Sequence, residues 1–348
     1  MSRFVATTRF ASGRGLAAFV VLLALIAGAA AWFYMDYTRF ADAPLAPLPA
    51  PVTLDVPLGT ALPGILHELE RQGVRSGPAL YWRALARQLG VAGRLHAGEY
   101  ALAPGTSPRA LLAKMAAGDV IQHHFTIVEG WTFTQLREAL AHDVGLKQTL
   151  GGADDAAVMR ELGAPDSPAE GWFLPETYSY VKGMGDIEVL RRAHDAMQKA
   201  VQKHWAERDP SIGLETPYQL LILASIVEKE TGRAEERPQI AGVFLHRLRI
   251  GMKLQTDPSV IYGLGAGFDG NLRRRDLEAD TPYNTYTRGG LPPTPIALPG
   301  NAALDAVAHP AASNALYFVA RGDGTHEFSA TLEAHNSAVA KYQLHHNQ

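Results

Sequence analysis

The chain has 348 residues, which is enough for about two domains, and 47% of them are hydrophobic and 19% charged, as in a folded protein. Its formal net charge of −3 excludes the overall basic field that marks many nucleic-acid-binding proteins. It contains no cysteine, which excludes disulfides, thiolate nucleophiles and cysteine-ligated metal centres.

The first predicted element is an apolar helix over residues 16–35. These twenty residues carry no charge, and a helix of that length spans the roughly 30 Å hydrocarbon core of a bilayer. Arginines precede it and no acidic residue appears before Asp36, so the positive-inside rule places residues 1–15 in the cytoplasm. The sequence predicts a single-pass inner-membrane protein with its folded part outside the cytoplasm.

The alternative for this helix is a cleaved signal peptide with a small-residue site near Ala31. The apolar core of a signal peptide is usually about 7–15 residues long, which is shorter than this stretch. Bulky aromatic residues also follow Ala31 immediately. The pattern therefore favours an uncleaved anchor.

Residues 36–51 contain four closely spaced prolines and predict an extended linker. Residues 52–120 then alternate five short predicted elements. They are a strand at 52–56, a helix from Leu62, a helix at 79–89, a strand within 96–108 and a helix over 108–117. This pattern resembles a LysM-like peptidoglycan-binding module with an inserted helix. The alternative is a generic α/β spacer.

Residues 121–348 are predicted to form a larger mixed domain, so the fold class is α+β. Its most informative segment is ETPYQLLILASIVEKETG, residues 215–232. Thr216, followed by proline, makes a good helix start, and Gly232 makes a good stop. The residues between are apolar on nearly all sides, which predicts a buried helix.

Glu230, in the last turn of this helix, has the features of a general acid. The residues three, four and seven positions before it are Val227, Ile226 and Leu223, so an apolar strip surrounds its side chain. Burial and the negative end of the helix dipole both disfavour the carboxylate and raise its pKa. The alternative is that Glu230 and its neighbour Glu228 are solvated at the end of a core helix.

Five segments in order resemble the MltG/YceG-like family of membrane-anchored endolytic murein transglycosylases. They are ILASIVEKET (222–231), GVFLHRLRIGMKLQTDPSVIYG (242–263), YNTY (283–286), GLPPTPIALPG (290–300) and GTHEFSATLEAHN (324–336). The resemblance extends over the anchor, the LysM-like module and the catalytic domain. It implies that Glu230 is the catalytic acid and that the reaction needs no metal or other cofactor.

The implied reaction uses one carboxyl group twice. The glutamate protonates the oxygen between N-acetylmuramic acid and N-acetylglucosamine, and its carboxylate then takes the proton of the muramyl 6-hydroxyl, which attacks C1. The product carries a 1,6-anhydro-muramyl end. The resemblance further implies cutting of nascent glycan strands, which ends their growth, in association with peptidoglycan synthases.

Two other functions are open at this point. An ordinary muramidase would use Glu230 as the acid and Asp257 to hold a water molecule. A non-catalytic peptidoglycan-binding scaffold would rely on the LysM-like module. A transferable proton at Glu230 argues for an enzyme, because a scaffold has no need of one.

Further polar and aromatic residues are candidates for binding the glycan. They are Glu176, Glu228, Thr231, Gln255, Thr256, Asp257, Tyr283, Asn284 and Tyr286. Asp257 has an Asx turn as its alternative role, and Asn284 has a turn role. Trp172 and Tyr178 are interpreted, with Glu176, as a wall of the cleft or as core residues.

A polar cluster near the C-terminus is of the type that binds metals. Its members are His326, Glu327, His335 and Asn336. No metal site is expected there, because transglycosylation needs none.

Overall fold

A computed structural model describes residues 13–46, 48 and 50–344, which form two compact units, Met1–Gln122 and His123–Gln348. The fold is mixed α+β, as predicted, with three two-stranded sheets in the described ranges. Residues 1–12, most of the predicted cytoplasmic segment, lie outside the described residues.

Unit 1 begins with helix α1, Gly13–Asp42, which is 30 residues long. Among the described residues, it is the helix long and apolar enough to cross a membrane. None of its most apolar window is buried against the rest of the protein, as a lipid-facing helix requires. α1 continues beyond residue 35, where the predicted span ends.

The segment after the span is not the extended linker that its prolines predict. Residues 36–42 are the last turns of α1. Beyond them, Leu45 and Leu48 are buried, and the Leu45 N–H donates to the Thr106 carbonyl at 2.8 Å. Proline prevents helix and sheet but does not prevent docking, and burying the two intervening leucines stabilises the docked segment.

The rest of unit 1 has the predicted order of strand, helix, helix, strand and helix. The elements are β1 Val52–Val56, α2 Leu62–Arg71, α3 Ala79–Gln88, β2 Gly98–Leu102 and α4 Pro108–Ala117. β1 and β2 pair antiparallel with Leu54 opposite Tyr100, and both side chains are fully buried. Ser107 caps α4 and Gly118 ends it in the left-handed conformation. The LysM likeness itself stays a prediction.

The end of α1 is fastened to α3 and α4. Tyr81 on α3 is surrounded by three aromatic rings of α1, with centroid distances of 5.3, 5.7 and 5.3 Å. The rings belong to Phe33, Tyr37 and Phe40. Tyr81 also donates its hydroxyl hydrogen to Asp36 at 2.8 Å, and Arg109 on α4 pairs with Asp42 at 2.7 Å. α1 and the module therefore share one core.

Unit 2 contains four strands and nine α-helices in its described part. They are β3 His123–Thr126, α5 Phe133–His142, α6 Asp155–Glu161, β4 Thr177–Tyr180, α7 Asp186–Glu207, α8 Pro217–Glu230, α9 Arg237–Arg249, α10 Asp257–Leu264, α11 Arg274–Glu278, α12 Asn301–Ala308, β5 Tyr317–Ala320, β6 His326–Ser329 and α13 Leu332–Val339. β3 pairs antiparallel with β4, and β5 with β6.

Helix α8 lies at the centre of unit 2. Thr216 caps its start by accepting the Gln219 N–H, as the sequence predicts. Every residue from Leu220 to Glu228 is buried, and α7, α9 and α12 pack around the helix. A helix that is apolar on all sides is stable only in such a position, and the surrounding helices fix where its last residue points.

The two leucines of α3 provide a matched test of the unit 1 core. Leu85 is fully buried and Leu80 is 63% exposed. We expect Leu85→Ala to destabilise unit 1 by about 2–5 kcal/mol, because it removes buried methyl groups and leaves a cavity. Leu80→Ala should change the free energy of unfolding by less than about 0.5 kcal/mol. Hydrogen–deuterium exchange of residues 52–120 in the detergent-solubilised chain measures both, and equal protection in the two variants would contradict this core.

Candidate active site

Glu230, the last residue of α8, lines an open cavity of about 490 Å³. Thr231 leaves the helix in an extended conformation, with φ −146° and ψ 137°. The cavity is formed by the end of α8, the loop before α10, the β5–β6 hairpin and α13. Other polar or aromatic side chains that line it are Arg247, Gln255, Asp257, Tyr286, Tyr317, Phe318, His326, His335, Asn336 and Gln343.

The carboxyl group of Glu230 is held by one hydroxyl group and enclosed by protein. Thr256, a fully enclosed residue of the loop before α10, donates its hydroxyl hydrogen to Glu230 Oε1. Enclosure raises the pKa of Glu230 to about 7, and the negative charge of Asp257 acts in the same direction. The Thr256 hydrogen bond, His326 and Arg247 oppose this rise. Near neutral pH the group can therefore both give and take a proton.

The loop that carries Thr256 has an unusual backbone. Gln255 has φ +51° and is the one non-glycine residue in the left-handed region among the residues described here. Its N–H donates to the Thr285 carbonyl at 3.1 Å, and the Thr256 N–H donates to Thr285 Oγ1 at 3.0 Å. Such a conformation costs about 1–3 kcal/mol and persists where neighbours hold it. Here it brings the Thr256 hydroxyl to Glu230.

Asp257 and Tyr286, two of the predicted binding residues, lie together in the cavity. The Tyr286 hydroxyl donates to Asp257 Oδ1 at 2.5 Å. This contact, rather than an Asx turn, is the hydrogen bond that the structure gives Asp257. Asp257 is exposed at the start of α10, so it is the second carboxylate of the cavity with access to solvent.

His326 is held from behind by Glu236. The carboxylate of Glu236 accepts the His326 backbone N–H at 2.9 Å and pairs with Nδ1 at 2.7 Å. Glu236 is buried, and no described residue hydrogen-bonds the other ring nitrogen, Nε2. This arrangement fixes the ring and leaves Nε2 as the atom that can meet a ligand in the cavity.

Arg247 on α9 was not singled out by the sequence analysis. Its buried guanidinium donates to the carbonyls of Leu316, Lys253 and Leu254 at 2.7, 3.3 and 2.6 Å. It therefore ties α9 both to the start of β5 and to the loop that carries Thr256. The sequence pattern does indicate that Arg247 is buried, because it lies three residues after Phe244 and so falls on the same buried face of α9.

Glu228, a predicted binding residue, does not line the cavity. It is buried, pairs with Arg237 at 3.0 Å and accepts the Gly300 N–H at 3.0 Å. The sequence places the stronger apolar strip around Glu230, whereas the structure leaves Glu230 the more exposed of the two residues. The reason is Arg237, which supplies a counter-charge from the next helix. In this structure Glu228 therefore holds Arg237 and the start of α12 and does not face the cavity.

Three other candidates hold backbone or neighbouring side chains. Asn284 is fully buried, its amide donates to the Ala279 carbonyl at 2.6 Å, and its Oδ1 accepts the Tyr286 N–H at 2.9 Å. It therefore has the turn role and positions Tyr286. Buried Thr231 accepts the Arg233 N–H through its hydroxyl. The third, Tyr283, bonds Thr294 and lines a separate cavity.

The predicted wall of the cleft lies elsewhere. Glu176 is exposed directly before β4 and does not line the Glu230 cavity. Trp172 stacks on Tyr218 with ring centroids 6.1 Å apart, and the Tyr178 hydroxyl donates to the Leu174 carbonyl at 2.8 Å. These aromatic residues pack in the core, which was the alternative interpretation.

The separate cavity, of about 290 Å³, contains a second carboxyl group that the sequence analysis missed. Glu170 accepts the Phe133 N–H at 3.0 Å and the Tyr262 hydroxyl at 3.1 Å. Burial raises the pKa of Glu170 to about 7. Since Phe133 begins α5, Glu170 satisfies an unpaired donor of that helix start, which is a structural role.

The polar cluster near the C-terminus is divided among different partners. Glu327 pairs with Arg321 at 2.5 Å, His326 with Glu236, and His335 stacks on Tyr317 at 5.1 Å. Within the ranges that the structure describes, no group of three or more metal-binding side chains is found.

Fold and site together define an acid–base enzyme with one enclosed carboxyl group facing an open, polar cleft. The chain belongs to the YceG-like family, whose family model matches residues 54–341.

Relatives agree with this membership. The chain is 30% identical over 309 residues to the endolytic murein transglycosylase of Bacillus subtilis strain 168, with 84% of each chain covered. It is 30% identical to the endolytic murein transglycosylase of Streptococcus pneumoniae strain D39, over 93% of this chain and 64% of that protein. A crystal structure of a YceG-like protein from Listeria monocytogenes is similar with a TM-score of 0.53 and 29% identity, covering 82% of this chain and 98% of that one.

The two glutamates of the last turn of α8 should differ in their effect on stability. Glu228→Gln breaks the buried pair with Arg237 and leaves Glu129, at 3.5 Å, as the remaining carboxylate beside that guanidinium. Burial also raises the pKa of Glu228, but the loss of the pair should outweigh this and lower the free energy of unfolding by up to about 3 kcal/mol. Glu230→Gln removes a carboxyl group whose pKa is raised in the folded state, from 4.5 to about 7. In the wild type, the raised pKa leaves the free energy of unfolding unchanged below about pH 4.5. Between about pH 4.5 and pH 7 it lowers the free energy of unfolding by an increasing amount.

Thermal unfolding at pH 4 and pH 8 measures this difference. Glu230→Gln should have the higher Tm at pH 8 and match the wild type at pH 4, whereas Glu228→Gln should have a lower Tm at pH 8. A Glu230→Gln variant that is less stable than the wild type at pH 8 would show that its carboxylate is stabilised and not enclosed.

Proposed function

We propose that this chain is an endolytic murein transglycosylase, a lyase that cleaves the β-1,4 bond between N-acetylmuramic acid and N-acetylglucosamine within glycan strands. The observation that carries the proposal is the single enclosed carboxyl group of Glu230 at an open cleft. Family membership and the activity named for the relatives support it.

The pKa of Glu230 suits both halves of this reaction. At about 7, a large protonated fraction exists at neutral pH, so the group can donate to the glycosidic oxygen as positive charge develops at C1. The resulting carboxylate then accepts the proton of the muramyl 6-hydroxyl, which attacks C1. Because the nucleophile belongs to the substrate, the step has the advantage of an intramolecular reaction and uses no water.

The role of Asp257 distinguishes transglycosylation from hydrolysis. An inverting muramidase needs a second carboxylate as base for a water molecule, and Asp257 is the candidate. Its Oδ1 already accepts the Tyr286 hydroxyl, which favours a role in binding. We therefore assign Asp257 and Tyr286 to the glycan, together with Gln255.

His326 and His335 are proposed as further glycan contacts. Nε2 of His326 is free to meet a hydroxyl or acetamido group, since Glu236 occupies Nδ1. Nδ1 of His335 is buried without a hydrogen-bond partner among the described residues. Thr256 is assigned a positioning role, because its hydroxyl holds Glu230 Oε1.

The test of the reaction is Glu230→Gln. This variant keeps the shape and hydrogen bonds of the side chain but cannot transfer a proton, so turnover on purified sacculi should fall by about 10²–10⁴-fold or more. Mass spectrometry of released muropeptides measures both rate and product. Unchanged release by a folded Glu230→Gln variant would refute Glu230 as the catalytic acid, whereas a wild-type chain that releases no muropeptides would leave only the scaffold function.

Asp257→Asn is the matched control for the product. In a transglycosylase it weakens binding and the products keep 1,6-anhydro ends. In a muramidase the wild-type products carry reducing ends and Asp257→Asn abolishes them. Reducing ends from the wild type would refute transglycosylation.

We further propose that α1 anchors the enzyme in the inner membrane with its N-terminus in the cytoplasm and unit 2 outside. Nascent glycan strands emerge at this membrane from peptidoglycan synthases. An anchored enzyme meets them at high effective concentration, and its internal cut ends strand elongation. The synthases are therefore the proposed partners.

Freeing the enzyme from the membrane tests this role. Because Phe33 and later residues of α1 pack against α3 and α4, a cleavable signal peptide should replace only residues 1–31. Activity on isolated peptidoglycan should be unchanged, whereas glycan strands in cells should become longer than with equal amounts of the anchored form. Identical length distributions would show that the anchor only retains the enzyme.

A further inference from the structure

Helix α3 begins beside the end of the apolar span. Phe33 belongs to the predicted span, and its ring lies edge-on to Tyr81 with centroids 5.3 Å apart. Trp32, Tyr34 and Met35 around it are more than half exposed, as lipid-facing residues are. With α1 in a bilayer, the start of α3 therefore lies at the level of the membrane interface.

The contacts along α1 show which side of α3 is turned toward the membrane. Moving away from the span, Phe40 contacts Trp82, which is fully buried, and Asp42 pairs with Arg109 of α4. The interior of unit 1 thus lies farther from the span than α3 does. The face of α3 opposite to Trp82 is turned toward the bilayer.

That face is apolar at its start and basic beyond it. Leu80, Arg83 and Arg87 follow at spacings of three and four residues, so they share one side of α3. Leu80 is 63% exposed and both arginines are exposed. No carboxylate in the part of the chain that the structure describes pairs with either arginine. Residues 71–98 contain five arginines and no acidic residue.

We propose that this surface, defined by Leu80, Arg83 and Arg87, binds the anionic phospholipids of the bilayer that α1 enters. Leu80 reaches the boundary between headgroups and acyl chains, and the two guanidinium groups bind lipid phosphates. Arginines close to an anionic lipid surface are attracted to it electrostatically, and the attraction falls off within a Debye length. The inference rests on α1 being the proposed membrane anchor and is independent of the reaction at Glu230.

The absence of cysteine allows a direct measurement in the full-length chain. Leu80→Cys is labelled with an environment-sensitive fluorophore, and the protein is reconstituted in vesicles of phosphatidylcholine alone or with 30% phosphatidylglycerol. Lipids with a nitroxide near the headgroup report contact by quenching. We expect strong quenching at position 80, which increases with the anionic lipid.

Charge variants show whether the surface is specific. In anionic vesicles, each anchored molecule has this surface either bound to lipid or released from it, and quenching at position 80 reports the ratio of the two states. Arg83→Gln with Arg87→Gln should lower that ratio by about an order of magnitude. The matched control, Arg75→Gln with Arg94→Gln, removes the same charge from exposed positions outside this surface and should have little effect. Equal effects of the two pairs, or quenching that does not depend on anionic lipid, would overturn the proposal.

Flotation of the same vesicles separates this proposal from the anchor. Protein that floats with the vesicles while position 80 stays unquenched would refute the lipid-binding surface and leave the anchor intact. Protein that does not float would refute both. In neither case is the assignment of Glu230 affected, because activity on isolated peptidoglycan is measured separately.

Discussion

The ion pair between Glu228 and Arg237 is the interaction on which the site depends. It neutralises one carboxylate in the last turn of α8 and, through Gly300, joins that turn to the start of α12. Because this pair holds the last turn of α8 in place, the carboxyl group of Glu230, two residues later, is positioned without a counter-charge of its own. Glu230 can then remain without an ion pair, and its enclosure raises its pKa toward neutrality.

Features encoded by neighbouring residues were predicted well from the sequence. The cap at Thr216, the stop of α4 at Gly118 and the order of elements in unit 1 all follow from short-range preferences. The supposed linker was mispredicted for a related reason. Closely spaced prolines show that the backbone cannot form helix or sheet, but they do not show whether the segment packs on the protein. The docking of Leu45 and Leu48 depends on a surface that distant segments build.

The candidate site was predicted only in part because its contacts join distant positions. Glu230 could be found from its own helix, but Glu236 and His326 are 90 residues apart, and no local pattern relates them. Asn284 was ambiguous because an amide suits both a sugar and a turn, and only its burial decides. The left-handed backbone of Gln255 is likewise invisible in the sequence, since glycine usually occupies such positions.

The unbroken passage of α1 from its apolar span into the core of unit 1 has a mechanical consequence. A membrane helix adjusts its tilt to the thickness of the bilayer around it. A flexible linker would absorb that adjustment, but the aromatic contacts of Tyr81 and the pair of Arg109 with Asp42 transmit it. With α1 as the proposed membrane anchor, unit 1 would tilt together with the helix, and hydrophobic mismatch between the span and the local lipid would set the angle of unit 1 to the membrane.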